Sequence, residues 1–209
     1  MNIDIIEESA DVLPEYARMP ISFVVRSIFD VQLVDGGLKG VKLLERPVDV
    51  PWTKDYDAFR DEGPARWRDR WDISNWGVIS AFVRGSRAGG CAIAYDTPGV
   101  HKLEGRKDIA AIWDIRVAPR YRGNGIGGRL VDAAVAWAER RGCRMLNVET
   151  QNINVPACRF YAKHGFTLGA INRHAYSEFP DEVELIWCRK IADRAPIPHA
   201  GSASTSTPC

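Results

Sequence analysis

The stretch Arg122-Gly123-Asn124-Gly125-Ile126-Gly127-Gly128 decides the fold of this 209-residue chain. It follows a strand-like segment, Ala111 to Val117, and opens the clearest amphipathic helix in the sequence. Glycines let the backbone approach a ligand closely, and the first N–H groups of a helix have no partner within it. The helix dipole adds to the attraction for negative charge. A plain turn would need one glycine, and three in the first helical turn cost about 1 kcal/mol each relative to alanine. The stretch therefore predicts a pyrophosphate site.

Two kinds of pyrophosphate ligand are compatible with these glycines. Gly123, Gly125 and Gly128 satisfy the dinucleotide pattern G-x-G-x-x-G. Glu149 lies about where a ribose-binding acid would stand in an NAD-binding protein. A dinucleotide fold needs several parallel strand–helix–strand units, however, and only one follows the loop after mostly antiparallel signals. The order of elements therefore disfavours NAD.

Strand and helix signals on both sides of the loop predict a mixed α+β sheet that is not doubly wound. Before the loop, the pattern gives a strand, a partly helical region with a break at its Gly-Pro pair, and a hairpin. After it come a helix, a short strand, a second helix with an N-cap and a glycine stop, and two closing strands. The segments are Ile21–Leu33, Thr53–Trp71, Trp76–Tyr95 with its turn at Arg84–Arg87, Ile126–Arg141, Met145–Val148, Asn154–Gly165, Thr167–Asn172 and Val183–Lys190.

The composition is that of a globular domain with its own core. The chain is 45% hydrophobic and 26% charged with a formal net charge of +1, so no overall field favours nucleic acid or an anionic membrane. No apolar run approaches the roughly 18 to 20 residues that span a bilayer. The acidic N-terminal segment is unlike a secretory signal. These features predict a cytoplasmic protein without nucleic-acid or membrane partners, and they leave monomer and homodimer open.

Two further expectations follow from residue types. The five cysteines are scattered, without a C-x-x-C pair or a histidine at metal-ligand spacing, which predicts reduced thiols and no metal site. Residues 192–209 are rich in Pro, Ser, Thr, Ala and Gly and lack apolar periodicity, so they predict a flexible tail. Residues 1–191 are then expected to form one domain.

Two motifs in order resemble the GNAT family of acetyltransferases. Val117 to Gly127, with the spacing R-x-x-G-x-G from Arg122, resembles the acetyl-CoA loop of that family. The pattern N-x-x-A-x-x-x-Y-x-x-x-G-F over 154–166 resembles its second cofactor-contacting helix. Segments 149–154 and 175–177 are similar to the streptothricin acetyltransferase branch, and the likeness covers roughly 71–191. The resemblance implies a mostly antiparallel sheet, flanked by helices, in which a splayed strand pair holds acetyl-CoA.

The activity that this resemblance implies is direct acetyl transfer from acetyl-CoA to a primary amine while both substrates are bound. The implied acceptor is a small polyamine-like molecule, with the β-lysine amine of streptothricin as the family case. Another small amine, a protein amine, and a non-catalytic acyl-CoA-binding module remain open.

Proton transfer has two candidate residues. Tyr161 matches the family's general acid, which would protonate the leaving thiolate, although a tyrosine on an apolar helix face is also a common core residue. An alkyl amine with a pKa near 10 is only about one part in a thousand free base at neutral pH, so a base helps or water relays the proton. Asp114 is the candidate base. It could instead bind the acceptor's cation or pair with a neighbouring arginine.

Cofactor contacts implied by the family include main-chain bonds to the strand entering the loop, one of them supporting the thioester oxygen. Asn154 could contact the pantetheine, act as a plain N-cap, or do both. The predicted cofactor-binding residues are Ile115, Arg116, Val117, Arg122, Gly123, Asn124, Gly125, Ile126, Gly127, Gly128, Asn154 and Tyr161.

An amine-rich acceptor needs carboxylates and aromatic faces. Strand alternation predicts that at most one of Trp113 and Asp114 faces the acceptor cleft. The predicted acceptor residues, each of which also fits a core or surface role, are Tyr56, Asp57, Trp76, Glu149, Tyr176 and Glu178.

Overall fold

The computed structural model describes residues 1–58 and 63–191, and the predicted tail at 192–209 lies outside the described residues. Strands and α-helices alternate along the chain with several short 3-10 turns. The strands are β1 (Asp4–Glu8), β2 (Phe23–Leu33), β3 (Val41–Lys54), β4 (Gly77–Val83), β5 (Ser86–Tyr95), β6 (Ile109–Val117), β7 (Met145–Gln151), β8 (Thr167–Asn172) and β9 (Glu184–Lys190). The α-helices are α1 (Leu13–Tyr16), α2 (Trp67–Arg70), α3 (Ile126–Arg140) and α4 (Val155–Lys163).

Seven strands form one sheet in the order β1-β4-β5-β6-β7-β9-β8. Among the described strands only β6 and β7 run parallel, and the other neighbours in this sheet are antiparallel. One parallel pair cannot build a dinucleotide-binding fold. The predicted mixed α+β sheet is confirmed, and the NAD alternative loses its structural basis.

Helices cover both faces of this sheet. On one face, α3 and α4 bury a core in which Leu130, Trp137 and Cys158 pack on the central strands. On the other face, α1 and α2 bury a second core that includes Tyr16 and Trp67. These two layers hold β6 and β7 between them, which is where the loop and the second helix meet.

The hairpin prediction is confirmed in detail. β4 and β5 are joined by Arg84 and Gly85, which both have positive φ, 50° and 75°. Two consecutive residues in this region form the type I′ turn that suits the right-handed twist of a hairpin.

Three elements were not predicted, and the start of one predicted region differs. β1 and α1 are short, and β3 contains two prolines and exposed polar residues, so none shows clean periodicity. β2 and β3 form a separate two-stranded sheet. The partly helical region expected from Thr53 to Trp71 contains two 3-10 helices, Tyr56–Ala58 and Pro64–Arg66, and the single turn of α2, but its first two residues belong to β3. Residues 59–62 within that region lie outside the described residues.

Candidate active site

The site forms where the parallel strands part. β6 and β7 pair only from Ile109–Ile112 to Met145–Val148. β6 then continues to Val117 and stays paired to β5 on its other edge, while β7 continues to Gln151 beside β9. The edge of β6 that faces β7 therefore has no strand partner beyond Ile112 in the described chain. This leaves a cleft walled by main-chain hydrogen-bonding groups.

A β-bulge in β6 shapes the wall of this cleft. Ala92 of β5 lies opposite Asp114 and Ile93 opposite Ile112, so Trp113 is the extra residue. Trp113 packs in the second core, and Asp114 bonds Tyr16 in that same core. Both side chains therefore lie on one face of the sheet. The strict alternation assumed for these two residues does not hold here, because a bulge shifts the alternation by one residue.

The glycine loop ends in an open helix N-terminus. Gly123 and Gly125 both have φ of 79°, a conformation that disfavours other residues, and α3 begins directly after Gly125. Asn124 closes the turn by donating to the carbonyls of Tyr121 and Arg122. Within the described residues, no hydrogen bond is formed by the main-chain N–H groups of residues 123–128. These free donors suit a pyrophosphate.

The last two glycines of the loop also have a role in helix packing. A Cβ added at Gly127 would lie 3.1 Å from the Phe160 ring, and one at Gly128 would lie 2.6 Å from His164. Both partners belong to the end of α4. These glycines allow α3 and α4 to pack closely, while Ile126 is buried in the first core.

Arg122 and Asn154 bind the protein's own backbone. Arg122 Nε donates to Val117 O at 3.0 Å, and its Nη2 donates to Ser22 O at 3.2 Å. Asn154 caps α4 by accepting from the Ala157 N–H at 3.2 Å. The N-cap role is therefore observed for Asn154, and Arg122 braces the loop against the end of β6.

Tyr161 lies in α4 with its ring packed against Phe160 and Phe166. It is 5% exposed, and its hydroxyl has no hydrogen-bond partner among the described residues. Burial raises the pKa of this hydroxyl well above its ordinary value, with smaller contributions from the nearby Cys91 and Tyr56 groups. Protonated at neutral pH and unbonded by any described residue, the hydroxyl is available as a proton donor.

Asp114 is part of a buried network and not a free carboxylate. Arg116 Nε and Nη2 donate to its two oxygens at 2.9 and 2.5 Å, and Tyr16 Oη donates to it at 2.5 Å. Arg116 also pairs with Asp57 at 2.7 Å and donates to Met19 O. Pairing with a neighbouring arginine is the observed arrangement for both Asp114 and Asp57. The Arg116 side chain faces away from the first core and holds α1 and residue 57 against β6.

A hydrogen-bonded path leads from α4 to the opposite end of the cleft. Asn154 Nδ2 donates to Tyr56 Oη, and Tyr56 Oη in turn donates to Gln151 Oε1. Gln151 Nε2 then donates to Tyr176 Oη at 2.9 Å, and Tyr176 Oη donates to Glu149 at 2.7 Å. The structure brings the predicted residues Tyr56, Glu149 and Tyr176 together along one wall.

Glu149 carries its negative charge at neutral pH. Burial alone would raise its pKa, but Lys102 Nζ at 3.0 Å and hydrogen bonds from His101 and Tyr176 hold the pKa well below its ordinary value. Burial and the Glu149 charge raise the pKa of Tyr176, which stays protonated.

The structure does not bring the other two predicted acceptor residues to this wall. Trp76 is buried, donates from its indole to Thr97 at 2.9 Å, and packs at a tilt against Trp67 and Trp113 in the second core. Glu178 is exposed in the connection between β8 and β9 and makes no contact with the path in the described part of the chain.

Four functional candidates were missed: His101, Lys102, Gln151 and Glu184. A charged residue opening the apolar strand β9 could have marked Glu184. The connection that carries His101 and Lys102 has no local signal, because only the tertiary fold brings it to β7. Ligand atoms of His101, Glu149 and Glu184 lie within 4.8 Å of one another, a spacing compatible with a metal ion. The Lys102 ammonium beside Glu149 would repel a divalent ion there.

The fold and site define a class, an acyltransferase that takes its acyl group from a coenzyme A thioester. The parted edge of β6 and the unbonded N–H groups of residues 123–128 fit the pantetheine and pyrophosphate of that donor. Comparison supports this directly, because residues 44–166 match the model of the Acetyltransferase (GNAT) family.

Relatives agree over most of the chain. The streptothricin acetyltransferase of Escherichia coli is 34% identical over 188 residues, covering 84% of this chain and 92% of the relative. A nourseothricin acetyltransferase structure, 25% identical, has a TM-score of 0.70, covering 92% of this chain and all of that one. The structure of a Bacillus anthracis protein in complex with acetyl coenzyme A is 24% identical and has a TM-score of 0.72 with the same coverage, which shows the shared fold.

The chain therefore belongs to the GNAT acetyltransferase family, and it is an N-acetyltransferase that uses acetyl-CoA. In the described part of the chain, no helix is long and apolar enough to cross a membrane.

Proposed function

We propose that this enzyme acetylates a primary amine of a small polycationic molecule of the streptothricin type, by direct attack with both substrates bound. The similarity to the E. coli streptothricin acetyltransferase along nearly the whole of that protein carries the proposal. The acceptor amine implied by this family branch is that of the β-lysine group.

The charges around the cleft support a cationic acceptor. Carboxylates outnumber the lysine and arginine side chains that neutralise them, and this surplus attracts a polycation. Tyr176 and Trp113 add aromatic faces. The carboxylates are Asp57, Asp114, Glu149, Glu182 and Glu184, and the cations paired with them are Lys54, Lys102 and Arg116.

Tyr161 is assigned as the general acid. Acetyl-CoA supplies the thioester, whose carbonyl carbon the amine attacks and whose sulfur leaves as a thiolate. The buried Tyr161 hydroxyl remains protonated and is free to donate to that sulfur. The main-chain groups of Ile115 and Val117, on the edge of β6 that β7 leaves beyond Ile112, are assigned to the main chain of the donor and to its carbonyl oxygen.

Removal of the amine proton is assigned to water. Asp114 is held by Arg116 and Tyr16, so accepting a proton would break a buried ion pair. Glu149 has a lowered pKa and is therefore a weak base. We therefore assign to Asp114 and Glu149 only the attraction of the cationic acceptor by their charge.

A thiol-release assay tests the proposal. Purified enzyme and acetyl-CoA are mixed with streptothricin, with lysine-containing peptides, with simple monoamines, or with no acceptor. We expect the highest kcat/KM for streptothricin. Equal or greater activity on peptides would replace the acceptor with a protein amine, and no release with any amine would remove the catalytic proposal.

A further inference from the structure

A group of charged side chains at one end of the cleft takes no part in the proton transfers assigned above. His101 Nε2 lies 3.0 Å from Glu184 Oε1 and 3.5 Å from Glu149 Oε2. The two carboxylates come from neighbouring strands, and their side chains are only 11% and 15% exposed, whereas that of His101 is 63% exposed. His101 therefore covers two largely buried carboxylates on their solvent side.

The charges of this group do not balance without His101. Lys102 Nζ lies 3.0 Å from Glu149 and 4.2 Å from the centre of the Trp113 ring, so the Glu149 charge is already neutralised. Among the described residues, Glu184 makes its ion pair with His101 alone. The group is neutral when His101 is protonated and carries one negative charge when it is not.

The position of Glu184 relates it to the reacting end of the cleft. Glu184 lies directly opposite Gln151 in the β7–β9 ladder. Gln151 belongs to the hydrogen-bonded path that begins at Asn154, the N-cap of α4, about two helical turns before Tyr161. An acceptor whose amine reacts near Tyr161 can therefore extend a second cationic group along this wall towards Glu184.

We propose that Glu184 selects polycationic acceptors by binding an ammonium group other than the one acetylated, and that protonated His101 competes with the acceptor for this carboxylate. The inference rests on the proposed function and names a specificity residue of the same site. An alkylammonium fits because it supplies the charge and N–H donors that imidazolium supplies to the buried carboxylate.

The first test removes the Glu184 charge. Thiol release is measured with α,ω-diamines of three to six carbons and with the monoamines of the same length. We expect the wild type to prefer its best diamine over the matching monoamine. Glu184→Gln should raise the KM of that diamine about tenfold, with kcat and all monoamine constants unchanged.

The matched control is Glu104→Gln. Glu104 is an exposed carboxylate three residues from His101, and its ion pair is with Arg106. This variant should leave the diamine preference intact. Equal effects of Glu184→Gln on diamines and monoamines, or no diamine preference in the wild type, would overturn the inference.

The second test varies pH and replaces His101, an exposed residue outside the two cores. His101 faces Glu149, Glu184 and the Lys102 ammonium, and its bonds to the two carboxylates keep its pKa above the ordinary value despite partial burial. The ratio of kcat/KM for diamine over monoamine should therefore rise with pH as His101 loses its proton. In His101→Gln the ratio should be high and independent of pH, and an unchanged pH dependence would contradict the competition.

Binding separates this inference from the proposed function. If no amine releases CoA, calorimetric titration of 1,4-diaminobutane and n-butylamine into the CoA-saturated enzyme still measures selection. Weaker diamine binding by Glu184→Gln than by the wild type would support the inference even without turnover. Equal diamine binding by the wild type and Glu184→Gln would overturn it.

Discussion

At the scale of single residues, Tyr161 is positioned by aromatic packing, and its hydroxyl has no hydrogen-bond partner in the part of the chain that the structure describes. Tyr161→Phe keeps that packing and removes the proton donor. We expect kcat to fall by about 100-fold or more, while the Kd for acetyl-CoA changes little. Thiol release and calorimetry measure the two quantities.

Tyr95→Phe is the control, because Tyr95 packs against Trp137 away from the cleft. It should leave kcat unchanged. A Tyr161→Phe enzyme with wild-type turnover would show that the leaving thiolate obtains its proton elsewhere.

Glu149 should make stability depend on pH in a defined direction. Its pKa in the folded protein is lowered below the ordinary value of 4.5, so its stabilising effect is complete above that value and is lost as pH falls through the folded pKa. Glu149→Gln leaves Lys102 buried without this partner and should cost about 3 kcal/mol at pH 7. Denaturant titrations at pH 7, 5 and 3.5 measure the difference in free energy of unfolding.

The difference between wild type and Glu149→Gln should shrink only below about pH 4.5, because there the unfolded chain takes up the proton. Glu178→Gln, an exposed change, should stay within about 0.5 kcal/mol of wild type at each pH. A constant deficit in Glu149→Gln down to pH 3.5 would mean that the charge is not responsible.

Residue types in the sequence indicated some roles and could not indicate others. Tyr161 and Asn154 belong to a local helical motif, so their placement could be predicted. Asp114 was predicted as a candidate base. Its hydrogen-bond partner Tyr16 lies 98 positions away, so no local pattern could show that this carboxylate is already bonded. His101 and Glu184 are separated by 83 positions, and they meet because the 101–103 turn packs on β7 and β7 pairs with β9.

At the scale of elements, the packing of α3 on α4 depends on the absence of side chains at the loop. Gly128→Ala would place a Cβ 2.6 Å from His164. We expect a loss of about 1 to 3 kcal/mol in the free energy of unfolding, because overpacking exceeds the gain in helix propensity.

The double variant Gly128→Ala, His164→Ala supplies the check, since the shorter side chain at 164 makes room. Chemical denaturation should show recovery of most of the loss relative to His164→Ala alone. Additive losses in the double variant would show that the two positions are independent.

Elements with strong local patterns were predictable. The loop followed by α3, the capped helix α4 and the β4–β5 hairpin carry their own start and stop signals. The parting of β6 from β7 carries no such local signal. It depends on the bulge at Trp113, which the residue pattern of a single strand does not reveal.

At the scale of the whole molecule, the cofactor site exists only in the folded chain. Acetyl-CoA at about 100 times its Kd should therefore add about 2.7 kcal/mol to the free energy of unfolding, which corresponds to roughly 5 to 10 °C in Tm for this size. A thermal melt with increasing acetyl-CoA measures this. NAD at the same concentrations should produce no shift, and a comparable shift would revive dinucleotide binding.

The closely packed indoles of the second core give the molecule an optical property. Four of the seven tryptophans, at positions 67, 71, 76 and 113, have ring centres 5.3 to 6.4 Å from a neighbour in the set, in tilted or edge-to-face arrangements. Rings this close can exchange excitation energy. Since Trp113 also contacts the Lys102 ammonium, we expect an acceptor that binds at the proposed wall to change the tryptophan emission of the enzyme, which a fluorescence titration measures.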